Sequence, residues 1–129
     1  MTKTKHPPEK LLTETELELM TILWRIGQGT VHDVIGGLSA GRDLAYTSVS
    51  TILRILEQKK VVRSQKEGRG HIYIPVLTKQ NYEDTSLNHI VTKVFDGTPS
   101  SLVRRLLETS DLSADEMKSI RSLLNERLK

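Results

Sequence analysis

From Tyr46 to Arg54 the chain reads Tyr-Thr-Ser-Val-Ser-Thr-Ile-Leu-Arg. If this stretch is helical, Thr47, Ser50, Thr51 and Arg54 share a face, with Gln58 one turn on. The groups on that face donate and accept hydrogen bonds but start no reaction alone. They suit the reading of nucleic-acid edges. Arginine forks onto guanine, Ser and Thr reach bases or phosphates, and a Thr methyl packs on thymine. An ordinary solvated helix carries Glu/Lys pairs at i,i+4 instead, and hydroxyl residues lower helix propensity. The sequence therefore keeps poorer helix formers where a reading face would need them.

Other chemistry is harder to place. The histidines are His6, His32, His71 and His89, with no i,i+4 His pair and no H-E-x-x-H. The chain has no cysteine, which excludes disulfides, thiolate catalysis and Cys-ligated zinc. "EGRG" is too short for a phosphate-binding P-loop. Serines and carboxylates show no nucleophile–base spacing. The chain is not read as an enzyme, and no cofactor or metal is expected. His32-Asp33 reads as a surface or capping pair, and His71 as an unliganded surface residue or a phosphate contact. His89 lies on a long helix, at a candidate dimer seam.

Charge points the same way as the hydroxyl face. The formal net charge of the 129 residues is only +3. Within Arg54–His71, however, six Lys or Arg stand against two Glu. Such a patch suits a polyanion, although charge alone equally describes a solvated face. Hydrophobic residues make up 36% and aromatics 4%, so a core mainly of Leu, Ile and Val is expected.

The elements that must position these residues follow from periodicity. "LLTETELELMTILWRIG" reads as a helix with a Thr13/Glu16 capping box and a stripe of Leu17, Met20 and Trp24, widened by Leu23 and Ile26. Trp24 is assigned to the core. Thr30–Val31 could add a short strand pair. "VHDVIGGLSAG" reads as a short helix with Val31, Val34, Ile35 and Leu38 on one face. "AYTSVSTILRILEQKK" is the third helix, burying Val49, Ile52, Leu53 and Leu56 at i, i+3, i+4, i+7.

"VVRSQKEGRGHIYIPV" then alternates around "EGRG" as a β-hairpin with a cationic tip. Ile72, Ile74 and Val76 form one row and His71 and Tyr73 the other. Tyr73 could face solvent or pack on the first helix. Three amphipathic helices follow. The first carries Leu87, Ile90, Val91, Val94 and Phe95. The next starts at Thr98-Pro99 and carries Leu102, Val103, Leu106 and Leu107. The last starts with a Ser113/Glu116 capping box and carries Met117, Ile120, Leu124 and Leu128.

These helices are too short in total to make a robust core alone. A second copy covering their apolar faces, in a symmetric dimer, is the simplest resolution. Folding back on the first domain is the alternative.

The fold class expected is mainly α with a small β-hairpin wing: a winged helix-turn-helix plus a C-terminal helical dimerisation region. The domain reading is a flexible basic arm over 1–11 (Lys3, Lys5, His6 and Lys10), a DNA-binding domain over 12–78, and a dimerisation domain over 79–129. Candidate DNA contacts are Tyr46, Thr47, Ser50, Thr51 and Arg54 on the helix, and Lys66, Arg69 and His71 on the wing. Candidate dimer contacts are Leu87, Ile90, Val94, Leu102, Leu106, Ile120 and Leu124.

"LELMTILW", "RDLAYTSVSTILRILEQKKVV", "HIYIPV" and "SLVRRLLETSDLSADEMKSIRSLL" resemble the penicillinase and methicillin-resistance repressor family, BlaI/MecI with its copper-responsive CopY branch. The likeness runs from about Leu12 to Leu124. It implies a homodimeric bacterial repressor in the cytoplasm, binding double-stranded DNA at palindromic operators with TACA/TGTA-type half-sites. The helix start Ala45-Tyr46-Thr47-Ser48 departs from the family's Ser-Pro-Lys-Thr. The antibiotic branch implies a membrane sensor protease as partner and cleavage between an Asn and a Phe. Counted from "SLV", those positions are Arg105 and Leu106 here. The copper branch relies on C-terminal cysteines, which this chain lacks. The releasing signal is left unidentified. No stretch approaches the roughly 20 apolar residues of a membrane span, so no stable membrane insertion is expected. The rival reading is a winged-helix protein-interaction module without a specific DNA target.

Overall fold

The computed structural model describes residues 11–109 and 111–129. The basic arm over 1–11 therefore lies, Leu11 apart, outside the described residues. The element order is α1 (Glu14–Ile26), α2 (Val31–Gly36), α3 (Tyr46–Gln58), β1 (Val62–Glu67), β2 (Gly70–Pro75), α4 (Lys79–Val94), α5 (Pro99–Thr109) and α6 (Ala114–Leu128). Two compact units result, one ending at Leu87 and the other beginning at Asn88. Three helices followed by a two-stranded antiparallel hairpin make the first unit a winged helix.

The helix starts are written locally. Thr13 and Glu16 form the expected reciprocal capping box, as do Thr30 and Asp33 at α2. Asp33 is thus the capping half of the His32-Asp33 pair. At the start of α6 the expected Ser113/Glu116 box is half made: Ser113 Oγ accepts from the Glu116 N–H at 3.0 Å, without the return bond from the Glu116 side chain. At the hairpin, Gly68 takes φ +59°, where a two-residue II′ turn calls for glycine. The register pairs Ser64 with Tyr73 and Lys66 with His71.

The core of the first unit gathers Leu19, Met20 and Leu23 from α1, Val34 from α2, and Val49, Leu53 and Leu56 from α3. Val61 and Val62 join them at the foot of the wing. Each large aliphatic side chain buried this way stabilises by about 1.5–3 kcal/mol relative to exposure.

Trp24 is half-buried against this core, and its indole N–H donates to the Leu77 carbonyl at 2.9 Å. Its ring lies 6.0 Å from that of Tyr82, whose hydroxyl accepts from the Leu12 N–H at 3.1 Å. The start of α4 is held to α1 through these contacts.

Several expectations are corrected. α1 buries Leu19 and Ile22 as well as Met20 and Leu23, while Ile26 is 41% exposed. The reason is that α1 packs against α2, α3 and β2 together, so one stripe cannot cover all its contacts. In β2 the row of Ile72 and Ile74 is only half-buried, and Val76, beyond the strand, is exposed. Tyr73 is the buried residue, at 5% exposure. The short strand pair is made by Gly29, one residue before Thr30. The Gly29 N–H donates to the Tyr73 carbonyl at 3.1 Å, and the Tyr73 N–H returns to Gly29 at 2.7 Å. Leu38 packs on the core from beyond the end of α2.

Gly29 is required there by space. A Cβ would stand 2.9 Å from both the Asp33 Cβ and the Ile26 Cδ1. Asp33 is fixed by its capping box, so it yields poorly. Gly29→Ala is expected to destabilise by about 1–3 kcal/mol, the usual cost of overpacking, read as a lower urea midpoint at unchanged slope.

Glu16 is 6% exposed and accepts from Lys59 Nζ at 2.7 Å and from the Thr13 N–H at 2.9 Å. Burial alone raises its pKa. The Lys59 ammonium and the Thr13 N–H outweigh that, and hold the carboxyl below its ordinary value. A lowered folded-state pKa gives stability that is present above the unfolded value and lost as pH falls through the folded one. Glu16→Gln keeps a side chain able to close the capping box. The variant is therefore expected to unfold more easily at neutral pH, with the difference shrinking on acidification. Urea midpoints across the acid range measure this.

The second unit differs in kind. α5 and α6 bury no residue, and the one buried residue of α4, Tyr82, belongs to the first unit.

Candidate nucleic-acid interface

The polar face of α3 is held outward by the burial of Val49, Leu53 and Leu56 on the other side. Tyr46 opens the helix and is 48% exposed. Thr47, Thr51 and Arg54 are exposed and Ser50 is half-buried. Arg54 Nη2 lies 3.5 Å from Ser50 Oγ, one turn earlier on the same face. Arg42 forks onto Glu18 of α1 at 2.9 and 3.0 Å, tying the turn before α3 to the scaffold.

The wing stands beside this face. Lys66, Arg69 and His71 are all exposed, Lys66 and His71 as cross-strand partners and Arg69 in the turn. A groove of about 420 Å³ runs between α3 and the wing. Tyr46, Ser50, Arg54, Arg69 and His71 line it, whereas Thr47, Thr51 and Lys66 do not. Five of the eight candidate contacts are thus gathered around one concavity.

The structure adds residues that sequence reasoning did not place in the site. Glu57 accepts from the Ser64 hydroxyl at 2.6 Å, joining the end of α3 to β1. Both line the groove, with Glu67, His32 and the edge of Tyr73. Burial pushes the Tyr73 phenol up. The Glu57 charge adds to this and Arg54 opposes it. A Ser at an inward strand position seven residues after a helical Glu was the available signal, but sequence alone does not fix the helix–strand angle. His32 of α2 packs on Tyr46, with ring centroids 4.9 Å apart.

Among the described residues no group of three or more His, Cys, Asp or Glu could hold a metal ion. No helix among them is long and apolar enough to cross a membrane.

The candidate dimer residues lie in α4, α5 and α6. Leu87, Ile90, Val94, Leu106 and Leu124 are exposed in the single chain, and Leu102 and Ile120 are half-buried. Within the second unit, Leu107, Met117, Ile120 and Leu124 line an open apolar hollow of about 350 Å³. Arg105 and Leu106, the candidate cleavage position, are exposed within the helical turns of α5.

Known proteins resemble this arrangement. The penicillinase repressor of Bacillus licheniformis is 27% identical over 115 residues, covering 89% of this chain and 90% of that one. The transcriptional regulator BlaI of Mycobacterium tuberculosis is 44% identical over 66 residues, 50% of this chain and 48% of that one. The solution structure of the DNA-binding domain of the repressor BlaI matches with a TM-score of 0.51 at 26% identity, covering 60% of this chain and 94% of that one. The family model of the penicillinase repressor matches residues 12–126, nearly the whole sequence, and the chain belongs to that family.

Proposed function

We propose that this protein is a homodimeric, sequence-specific transcriptional repressor that binds a palindromic operator. Tyr46, Thr47, Ser50, Thr51 and Arg54 read the major groove, and Lys66, Arg69 and His71 hold the phosphate backbone. One observation carries this reading: the outward hydroxyl-and-arginine face of α3 borders a groove with the basic wing, Ser50 and Arg54 lining it together with Arg69 and His71. Membership of a repressor family supports it.

The exposed leucines of α4, α5 and α6 support the dimer, since faces of this kind need a cover. Release comes from a separate signal. Proteolysis by a membrane sensor is the route that the family supplies. Cleavage between Arg105 and Leu106 requires α5 to unwind locally, because a helical turn does not fit a protease cleft.

The test is equilibrium binding to a TACA/TGTA palindrome and to a scrambled duplex of equal length, followed by fluorescence anisotropy over a salt series. A dimer that neutralises about 6–8 phosphates should show a log–log slope of roughly −5 to −7 on the palindrome. Weak binding to both duplexes that vanishes near physiological salt would favour the protein-interaction module instead.

A further inference from the structure

We propose that His32 is a positioning residue for Tyr46, and that the pair sets base preference at the start of the recognition helix. This rests on the operator-reading function given above. The observation is the packing of the His32 imidazole on the Tyr46 ring, with centroids 4.9 Å apart and planes tilted by 47°.

Each partner is placed by a different part of the fold. His32 is the second residue of α2, whose start is locked by the Thr30/Asp33 box. The residue just before that box, Gly29, is bonded in both directions to Tyr73 of the wing. The backbone that carries the histidine is therefore fixed with respect to the hairpin. Tyr46 is the first residue of α3, where Ala45 supplies no side-chain cap. Nearly half of Tyr46 is exposed, and its own helix offers it no preceding turn to pack against. His32 is itself exposed, and its ring is the neighbouring surface on which Tyr46 packs and which limits its rotamers. Both rings line the groove that holds Ser50 and Arg54.

Ordering a reading side chain before DNA arrives removes part of the entropy lost on binding. The benefit appears only where Tyr46 makes a contact that depends on sequence. His32 thus acts through Tyr46, and its removal should affect the operator more than a scrambled duplex.

The experiment is a double-mutant cycle with the full chain. Wild type, His32→Ala, Tyr46→Ala and the double variant are titrated against the operator, a scrambled duplex, and operators altered one base pair at a time. His32→Ala is expected to weaken operator binding about two- to tenfold, the range of an aromatic pair, and to weaken scrambled binding clearly less. In the Tyr46→Ala background the same change should have no further effect. His32→Phe keeps the stacking surface and should restore much of the loss. The base pairs at which His32→Ala relaxes preference should be those at which Tyr46→Ala does.

Additive losses, or equal losses on operator and scrambled DNA, would overturn the pairing while leaving the operator function intact. A wild-type protein with no operator preference would overturn both. Thermal unfolding of the same variants identifies any that lose affinity by failing to fold.

Discussion

Replacing Ile120 and Leu124 together by glutamate is expected to give a folded monomer that has lost about 10²–10⁴ of its operator affinity. The reasoning begins with burial. Both residues sit on α6, which buries no residue of its own, and both line the apolar hollow of the second unit. Charges there leave the winged-helix core untouched, because Leu19, Met20, Leu53 and Leu56 lie in the other unit. In a dimer the same charges would be buried without partners, which association cannot offset. Two winged helices on one palindrome bind with the second event made intramolecular, and the expected loss is that avidity. Sedimentation would report the monomer, circular dichroism the retained fold, and anisotropy the lost affinity. A double variant that stays dimeric would place the dimer contact elsewhere.

Arg54→Ala carries the second large effect. Arg54 is exposed on the outward face of α3, lines the groove, and lies within 3.5 Å of Ser50 Oγ. A guanidinium that forks onto a base contributes about 1–3 kcal/mol, and its loss relaxes preference at that position. Lys66 is also exposed, but on β1 and outside the lining of the groove, where a phosphate is the natural partner. Lys66→Ala should weaken all sequences alike and reduce the salt slope by about one. The two variants therefore separate reading from holding. Equal, sequence-blind losses in both would assign Arg54 to the backbone as well.

Much of this arrangement was legible in the sequence where local rules act alone. The capping box at Thr13, the glycine in the wing turn and the stripe of α3, buried at Val49, Leu53 and Leu56 with Ile52 half-buried, need no knowledge of the rest of the chain. The outward face of α3 followed from the same stripe. What was not legible depended on three-dimensional packing. Tyr73 became a core residue because Gly29 pairs with its backbone and α1 packs on β2. An alternating pattern cannot say which row of a strand faces in when both contain apolar residues. Leu19 and Ile22 were missed because α1 has neighbours on more than one side. The Glu57–Ser64 bond and the His32–Tyr46 contact join elements whose relative placement no periodicity encodes.

Selection from a random-sequence duplex pool by the full chain, at about 150 mM salt, tests sequence reading by a dimer most directly. Reading by two copies of α3 predicts enrichment of a single motif with two-fold symmetry, at an affinity about 10³-fold or more above the starting pool. A pool that emerges without enrichment, or with a motif lacking that symmetry, would contradict it.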